Sequence, residues 1–274
     1  MDETDHVLVV GLAQGLPQLT GGASASATER GDASFGARPD RTTAMSDDPV
    51  LLITGASSGI GAATARHAAQ AGWRLLLAAR SQDKLEALVD ELGGEERAAA
   101  LRCDVTEWDD QQAAVAAALE RFGRLDASFA NAGVGAARGF LEESVEHWRA
   151  MMDTNVYGAA LSIRAALGHF REQGAGHMLL TGSVAGHKAL PGSLYSATKW
   201  AVTAMGESLR AEVADTPIRV TLIAPGMVDT PFFDEPKENA LQADDIARAV
   251  IYALSQPAHV DVNEILIRPV NQAG

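Results

Sequence analysis

The sequence predicts an α/β fold in which a central seven-stranded parallel sheet is doubly wound, with helices on both of its faces. Three observations support this fold class. Short apolar runs alternate with helical stretches along most of the 274 residues. Runs such as Val220–Ala224 are too continuous for strands with one face in water, and they suit a sheet covered on both faces. A glycine-rich turn, Thr54–Gly61, joins the first strand to the first helix.

Each predicted strand is an apolar run, beginning with Val50–Ile53, and the predicted helices lie between these runs. Strands are expected at 50–54, 74–79, 98–102, 126–130, 177–182, 218–224 and 263–267. The stretch after the glycine turn is rich in alanine, which favours a helix. Helices are expected at 59–71, 82–92, 107–121, 142–172, 194–214 and 243–254. Because parallel neighbours need a crossover connection, this alternation predicts one parallel-sheet domain over residues 46–274.

Composition and charge exclude several classes of protein. The formal net charge is −14 at pH 7, and no basic stripe is available to neutralise the phosphates of a nucleic acid. Cys103 is the single cysteine and cannot form an intrachain disulfide, which favours a reducing, cytoplasmic location. No cluster of His, Cys and Asp has the spacing of metal ligands, so we expect no metal.

Residues 1–45 are predicted to be a disordered extension before the domain. They are rich in Gly, Ala, Ser and Thr, with a low-complexity run at 21–27. The apolar patch Val7–Leu12 follows acidic residues, the wrong flank for a secretory signal, and it is too short to span a membrane. Met45–Pro49 leads directly into the first strand, as a native start would. We therefore favour a disordered extension, for which a start codon assigned too far upstream is one explanation, over a functional arm.

The turn Thr54–Gly61 is a candidate dinucleotide site. A strand, a tight glycine turn and a helix together present backbone N–H groups and a helix N-terminus to a pyrophosphate. The spacing is Gly-x-x-x-Gly-x-Gly without a Gly-Lys-Ser or Gly-Lys-Thr ending, which excludes a P-loop. The alternative is a turn that only caps the helix. The residues expected to bind the cofactor here are Gly55, Ser57, Ser58, Gly59, Ile60 and Gly61.

Tyr195 and Lys199 form a candidate catalytic pair. Their spacing of four places both side chains on one face of a helix, and a cation beside a phenol lowers the phenol's pKa from about 10. Alone, such a pair is usually an amphipathic helix edge. Ser183 closes an apolar strand, so its hydroxyl is expected at the carboxyl edge of the sheet, where open α/β sheets bind ligands. We expect Ser183 to polarise a carbonyl oxygen and Tyr195 to transfer the proton.

With these motifs, residues 49–270 resemble the short-chain dehydrogenase/reductase family. The matching motifs include the glycine turn, the triplet Asn131-Ala132-Gly133 and the Tyr195–Lys199 pair. The resemblance implies a Rossmann fold. It also implies that Lys199 lowers the pKa of Tyr195 and hydrogen-bonds the cofactor ribose, and that Asn155 holds a water linking Lys199 to solvent. The implied catalytic tetrad is Asn155, Ser183, Tyr195 and Lys199.

The resemblance implies further contacts with the cofactor. Asp104-Val105 matches the family's adenine contact, and the triplet at 131–133 matches the segment that supports the sheet beside the cofactor. The turn at Pro225-Gly226 matches the one that covers the nicotinamide. Outside the glycine turn, the cofactor-binding residues expected from the family are Asp104, Val105, Asn131, Ala132, Gly133, Tyr195, Lys199, Pro225, Gly226, Val228 and Thr230.

The end of the second strand predicts which dinucleotide is used. An NAD enzyme usually carries a carboxylate here for the ribose 2′-hydroxyl. This chain has Ala79-Arg80 and no acidic residue until Asp83, in the next helix. A guanidinium favours a 2′-phosphate, although a solvated arginine at a strand end is also common. We therefore expect NADP(H) to be preferred and NAD(H) to be possible, with Arg80 as a cofactor-binding residue.

The substrate pocket is expected to be lined by three segments, 134–137, 185–193 and 227–238. An apolar lid is predicted from Met227, Phe232 and Phe233. The side chains that could pair with an anionic substrate are Arg138, His187 and Lys188, although each is more typical of solvated surface.

The predicted activity is hydride transfer between NADP(H) and a small carbonyl or alcohol substrate. A reductase of 3-oxoacyl groups on acyl carrier protein and a hydroxy-acid dehydrogenase, both of the same family, are alternatives. A sensor or scaffold that binds NADP(H) without turnover is a third, disfavoured because all four tetrad positions are filled. The resemblance also implies a homodimer or homotetramer paired through helices 142–172 and 194–214.

Overall fold

A seven-stranded parallel sheet forms the centre of the protein, in a computed structural model that describes residues 47–135, 139–191, 194–232 and 237–272. The predicted extension 1–45 lies outside these residues. Along the chain the strands are β1 Val50–Thr54, β2 Arg74–Ala79, β3 Ala98–Arg102, β4 Ala127–Ala130, β5 Gly176–Thr181, β6 Ile218–Pro225, β7 Val228–Asp229, β8 Leu241–Gln242 and β9 Glu264–Ile267. The sheet order is β3-β2-β1-β4-β5-β6-β9, and β7 pairs with β8 separately. The predicted fold class is confirmed.

Helices cover both faces of the sheet because alternate residues of each strand point to opposite sides. The helices are α1 Gly59–Gln70, α2 Gln82–Glu91, α3 Trp108–Phe122, α4 Val145–Met152, α5 Ala159–Gln173, α6 Leu194–Glu212 and α7 Ala243–Ser255. Val50 and Leu52 of β1 pack in one core with α3, α5 and α6. Leu51 and Ile53 pack in a second core with α1, α2 and α7. The continuous apolar run of β1 therefore reflects burial on both sides.

The region predicted as one helix at 142–172 differs from the prediction. It begins at Val145, because the Ser144 hydroxyl accepts a hydrogen bond from His147 N at 3.1 Å and caps the helix there. A π-helical turn, Asp153–Gly158, then separates α4 from α5. Hydrophobic periodicity does not reveal such a turn, because the apolar pattern continues across it. Turns of this kind often lie at functional sites.

The strand order positions the site. From β1 the chain builds the sheet outward to β2 and β3 on one side, and from β4 it builds outward to β5, β6 and β9 on the other. The order therefore reverses between β1 and β4, and a crevice opens there at the carboxyl ends of the strands. The register aligns those ends, since Ile53 of β1 pairs with Phe129 of β4 and Ala130 pairs with Leu180 of β5. The residues that follow these strands therefore share one edge.

Candidate active site

A cavity of about 410 Å³ lies along this edge. It brings together most of the predicted site residues, although they are widely separated in sequence. Those that line it are Gly55, Ser57, Ser58, Gly59, Ile60, Arg80, Asp104, Val105, Asn131, Ala132, Gly133, Ser183, Tyr195, Lys199, Pro225, Gly226, Val228 and Thr230. Two predicted residues, Gly61 and Asn155, do not line the cavity. They can affect the site only through the residues that they contact.

The glycine turn packs tightly against the segment after β4. Gly55 has a φ of +66°, and a Cβ there would lie 2.8 Å from Ala132 Cα. A Cβ on Gly61 would lie 2.3 Å from the Gly55 carbonyl oxygen and 2.9 Å from Asn131 Nδ2. Both positions therefore require glycine, and the close packing leaves the start of α1 beside the cavity. Gly61 shapes the turn without lining it.

Asn131 joins the ends of three strands. Its Nδ2 donates to the Thr54 carbonyl at 3.2 Å, and its backbone N–H donates to the Thr54 hydroxyl at 3.1 Å. Its Oδ1 accepts a hydrogen bond from the Thr181 hydroxyl at 3.1 Å. Because Thr54 ends β1 and Thr181 ends β5, this side chain holds the floor of the cavity together.

Ser183, Tyr195 and Lys199 converge on one part of the cavity. The Ser183 and Tyr195 hydroxyls are hydrogen-bonded to each other. Ser183 Oγ also accepts a hydrogen bond from Ala185 N at 3.1 Å, which fixes its direction. Lys199 Nζ lies 5.7 Å from the centre of the Tyr195 ring and donates to the Thr181 carbonyl at 2.8 Å. These groups can hold one carbonyl oxygen between two hydroxyls with an ammonium nearby.

Burial is the main influence on the pKa of Tyr195 in the structure, and the predicted lowering by Lys199 stays a prediction. Burial raises the pKa of Tyr195 to about 12, and the hydrogen bond with Ser183 lowers it only in part. Burial lowers the pKa of Lys199 to about 8. Burial raises the pKa of a phenol because it removes the charged phenolate from water. Tyr195 therefore carries its proton at neutral pH.

The side chain of Asn155 is hydrogen-bonded to protein groups, and its water-holding role stays a prediction. Asn155 lies on the π-helical turn and is 2% exposed. Its Oδ1 accepts a hydrogen bond from Val134 N at 2.8 Å, and its Nδ2 donates to the Val134 carbonyl at 2.9 Å and to the Thr198 hydroxyl at 3.2 Å. Both amide protons are thereby used. Asn155 positions the Val134 wall of the cavity against α6.

The opposite end of the cavity carries Arg80 and Asp104. Arg80 is exposed and follows β2, as predicted. Burial raises the pKa of Asp104, but hydrogen bonds from Thr106 and the charges of Arg80 and Arg102 reverse this, and the pKa lies below its usual value. Asp104 Oδ1 accepts from Thr106 N at 3.0 Å and from the Thr106 hydroxyl at 2.8 Å. The carboxylate is thus ionised and held in place.

The end of the cavity beside Tyr195 is mainly apolar. Phe232 is 41% exposed, and its ring meets the Tyr195 ring edge to face at a centroid distance of 5.9 Å. A Cβ on Gly135 would lie 2.6 Å from the Phe232 ring, so glycine allows this wall to close. Of the predicted lid, Met227 and Phe232 line the cavity, and Phe233 lies outside the described residues. The other apolar residues at this end are Val134, Leu190 and Pro231.

Two of the three cations predicted to meet an anionic substrate, His187 and Lys188, do not line the cavity. His187 Nε2 lies 2.7 Å from Glu264 Oε1, and this contact is outside the cavity lining. Lys188 is exposed and also does not line the cavity. Arg138 lies outside the described residues, as do the predicted lining residues 136–137, 192–193 and 233–236. Among the described residues of the lining, the only basic side chains are Arg80 and Lys199.

Sequence analysis missed four polar residues of the described lining: Ser81, Thr154, Thr181 and, farthest along the chain, Gln272. Gln272 follows the last strand, beyond the stretch that carried the family resemblance, and its contact partner Met227 lies 45 residues earlier. The only available signal was the position of Gln272 soon after β9, which keeps it near the sheet edge. No local sequence pattern shows that the residues after β9 contact the loop that contains Met227.

Two further features were searched for in the described part of the chain. None of its helices has the length and apolar character needed to cross a membrane. No group of three or more His, Cys, Asp and Glu side chains there could hold a metal ion.

Comparison with known proteins agrees with the fold. Residues 49–240 match the family model described as short chain dehydrogenase. An uncharacterised oxidoreductase of Staphylococcus haemolyticus is 42% identical over 225 residues, which cover 81% of this chain and 97% of that protein.

Two solved structures share the whole architecture. An alcohol dehydrogenase from the archaeon Thermococcus sibiricus, complexed with 5-hydroxy-NADP, is 35% identical with a TM-score of 0.76, covering 83% of this chain and 99% of that one. Serine dehydrogenase from Escherichia coli is 32% identical with a TM-score of 0.75, covering 82% of this chain and 100% of that one. The protein is an oxidoreductase that belongs to the short-chain dehydrogenase family.

Proposed function

We propose that the protein transfers a hydride between NADP(H) and a small carbonyl or alcohol compound, with reduction of the carbonyl as the favoured direction. One observation carries this proposal: the hydrogen-bonded Ser183 and Tyr195 hydroxyls lie beside Lys199 in the cavity at the carboxyl edge of the sheet. Because burial raises the pKa of Tyr195 to about 12, the phenol is protonated at neutral pH and suits a general acid.

The residues present fit a dinucleotide. Gly55 and Gly61 leave a cradle that a Cβ would fill, and α1 begins at its edge, with Ser58 as the N-cap. The N-cap hydroxyl of Ser58 makes no capping hydrogen bond, so it is available with the first N–H groups of α1 to hold a pyrophosphate. Asp104 and Val105 would border the adenine, and Lys199 would reach the ribose. When bound, the cofactor supplies the hydride.

The protein's own groups then handle the oxygen and its proton. Ser183 donates a hydrogen bond to the substrate carbonyl oxygen and polarises it. Tyr195 donates its proton to the same oxygen as charge develops there. The Lys199 ammonium, 5.7 Å from the Tyr195 ring, stabilises the phenolate that this transfer creates. Asn155 acts as a positioning residue, because it holds Val134 and Thr198 at the wall.

The preference for NADP(H) over NAD(H) rests on Arg80. Its guanidinium lines the end of the cavity next to Asp104, and the preceding residue, Ala79, carries no carboxylate to repel a 2′-phosphate. The similarity to an alcohol dehydrogenase that was complexed with 5-hydroxy-NADP supports the same choice. NAD(H) stays an alternative with lower expected efficiency.

Turnover separates this proposal from a sensor or scaffold that only binds NADP(H). NADPH oxidation would be followed at 340 nm with a set of ketones, aldehydes, keto esters and keto acids, with the alcohols and NADP⁺ as the reverse reaction. We expect turnover of at least one neutral carbonyl compound. NADPH binding, followed by its fluorescence, without turnover of any compound would favour the sensor instead.

We also propose that the enzyme is a homodimer or homotetramer paired through α5 and α6. Three large apolar side chains on α4, the π-helical turn before α5, and α6 are exposed: Met152, Tyr157 and Trp200, at 40%, 55% and 49%. Large apolar side chains that are exposed in a single chain are typical of a surface that another subunit buries in an oligomer. Light scattering at micromolar concentration should give a mass of at least twice 28.7 kDa. A monomer under those conditions would contradict the proposal.

A cytoplasmic location is proposed from the chain's one cysteine. Cys103 is buried, and burial raises the pKa of its thiol to about 12, so the thiol is unreactive and unpaired. A chain without a disulfide suits a reducing compartment. Fractionation of cells that produce the protein would test the location.

A further inference from the structure

Gln272 brings the end of the described chain into the cavity that holds Tyr195. It follows β9, which lies beside β6 at the edge of the sheet. Its backbone N–H donates to the Pro269 carbonyl at 3.0 Å, which closes a turn after the strand. The turn brings the Gln272 side chain over the loop that follows β6.

The orientation of the Gln272 amide is fixed by one contact. Its Oε1 accepts a hydrogen bond from the backbone N–H of Met227 at 2.9 Å. Only the oxygen of an amide can accept from an N–H, so the two branches of the amide cannot be exchanged. The NH₂ group is therefore the other branch, and its two donors have no hydrogen-bond partner among the described residues.

The loop after β6 is built to receive this amide. A Cβ on Gly226 would lie 2.2 Å from Gln272 Oε1 and 3.1 Å from Pro269 Cδ, so any other residue would push the tail away. The Gly226 N–H donates to the Ile267 carbonyl at 2.6 Å, which continues the β6–β9 pairing into the loop. Gln272 is thus seated on a rigid part of the cavity wall.

The surroundings of Gln272 limit what its donors can bind. Met227, Leu190 and Phe232 make this end of the cavity apolar. The charged residues of the described lining are Arg80, Asp104 and Lys199, of which the first two lie at the far end and the third is bonded to Thr181. A neutral donor in an apolar wall suits a neutral acceptor oxygen, since a carboxylate would lose its hydration without gaining a partner cation.

We propose that Gln272 determines substrate specificity by donating a hydrogen bond to a second carbonyl oxygen of the substrate. The preferred substrates are then neutral keto esters or diketones, ahead of simple ketones and of keto acids. This inference rests on the proposed reductase function of the same site. It adds to that function a residue that recognises the part of the substrate away from the reacting carbon.

The test uses Gln272→Glu with matched substrates. Glutamate keeps an oxygen to accept from Met227 N–H but replaces the NH₂ donor with a second acceptor. Ethyl acetoacetate and ethyl pyruvate are compared with heptan-2-one and hexan-2-one, which have the same chain lengths without the ester. For the better ester, we expect the ratio of its kcat/KM to that of its matched ketone to fall at least tenfold, mainly through KM.

Four further measurements accompany this one. Asn271→Asp makes the same change of charge at the neighbouring exposed residue and should leave the ratio within twofold. The Kd of NADPH, measured by fluorescence, should change less than twofold in Gln272→Glu. Gln272→Met, which removes the donor without adding a charge, should lower the ratio as well, and acetoacetate should be a poorer substrate than its ethyl ester for the wild-type enzyme.

The possible results distinguish a failure of the proposed role of Gln272 from a failure of the proposed reductase activity. Wild-type turnover of both esters and ketones, with an unchanged ratio in Gln272→Glu, would overturn the role of Gln272 and leave the reductase intact. A large loss of NADPH affinity in the variant would also overturn it, because Gln272 would then be a structural or cofactor residue. Absence of turnover in the wild-type enzyme would overturn the reductase proposal together with this inference.

Discussion

Replacement of Tyr195 by phenylalanine is expected to lower kcat for carbonyl reduction about a thousandfold. The variant loses the hydroxyl that donates a proton to the substrate oxygen, and it keeps the ring that packs against Phe232 at 5.9 Å. Ser183 would still be able to hold the carbonyl. NADPH affinity should stay within a few-fold, because the lost interaction is made mainly in the transition state.

Steady-state kinetics with the best carbonyl substrate and NADPH fluorescence provide the two measurements. Tyr252→Phe is the matched control, because Tyr252 is 56% exposed on α7 and does not line the cavity. It should retain the wild-type rate. Full activity of Tyr195→Phe would refute the assignment of the proton donor, and an equal loss in both variants would point to a general effect on the fold.

The double change Ala79→Asp with Arg80→Ser is expected to shift cofactor preference toward NADH about a hundredfold. Arg80 supplies a charge-assisted hydrogen bond to a 2′-phosphate, and such a bond contributes about 1.5–3 kcal/mol. The new carboxylate at 79, which lines the cavity, would repel the phosphate and accept from the 2′-hydroxyl of NADH. The measurement is the ratio of kcat/KM with NADPH to kcat/KM with NADH.

Two further variants make this result interpretable. Arg80→Ser alone tests the guanidinium without placing a charge at the buried end of β2, where Ala79 is 7% exposed. Arg149→Ser removes an exposed arginine of α4 outside the cavity lining and should leave the ratio unchanged. A wild-type enzyme that already prefers NADH would contradict the NADP(H) proposal before any variant is made.

The main elements of the fold follow from local patterns. An uninterrupted apolar run such as Val50–Ile53 is stable only in a strand covered on both faces, and the two cores around β1 have this arrangement. Parallel strands end at a common edge, so residues placed just after strands, such as Gly55, Asn131 and Ser183, were expected to meet. The cavity lining contains all three.

The tertiary structure alone decided how several of these residues act. The pKa of Tyr195 depends on how deeply its hydroxyl is buried, and sequence spacing reports only that Lys199 is one turn away. The partners of Asn155 depend on the π-helical turn and on the position of Val134, which hydrophobic periodicity does not encode.

Sequence by itself therefore determined the fold class, the order of the main elements and the edge of the sheet where the candidate site residues lie. These properties follow from apolar periodicity and glycine turns, which are local properties of the chain. Only the tertiary structure decided the burial and hydrogen bonding of those residues, and it added Gln272. That side chain meets Met227 across 45 residues because β9 lies beside β6 in the sheet, and strand order is set by packing of the whole domain rather than by any segment alone.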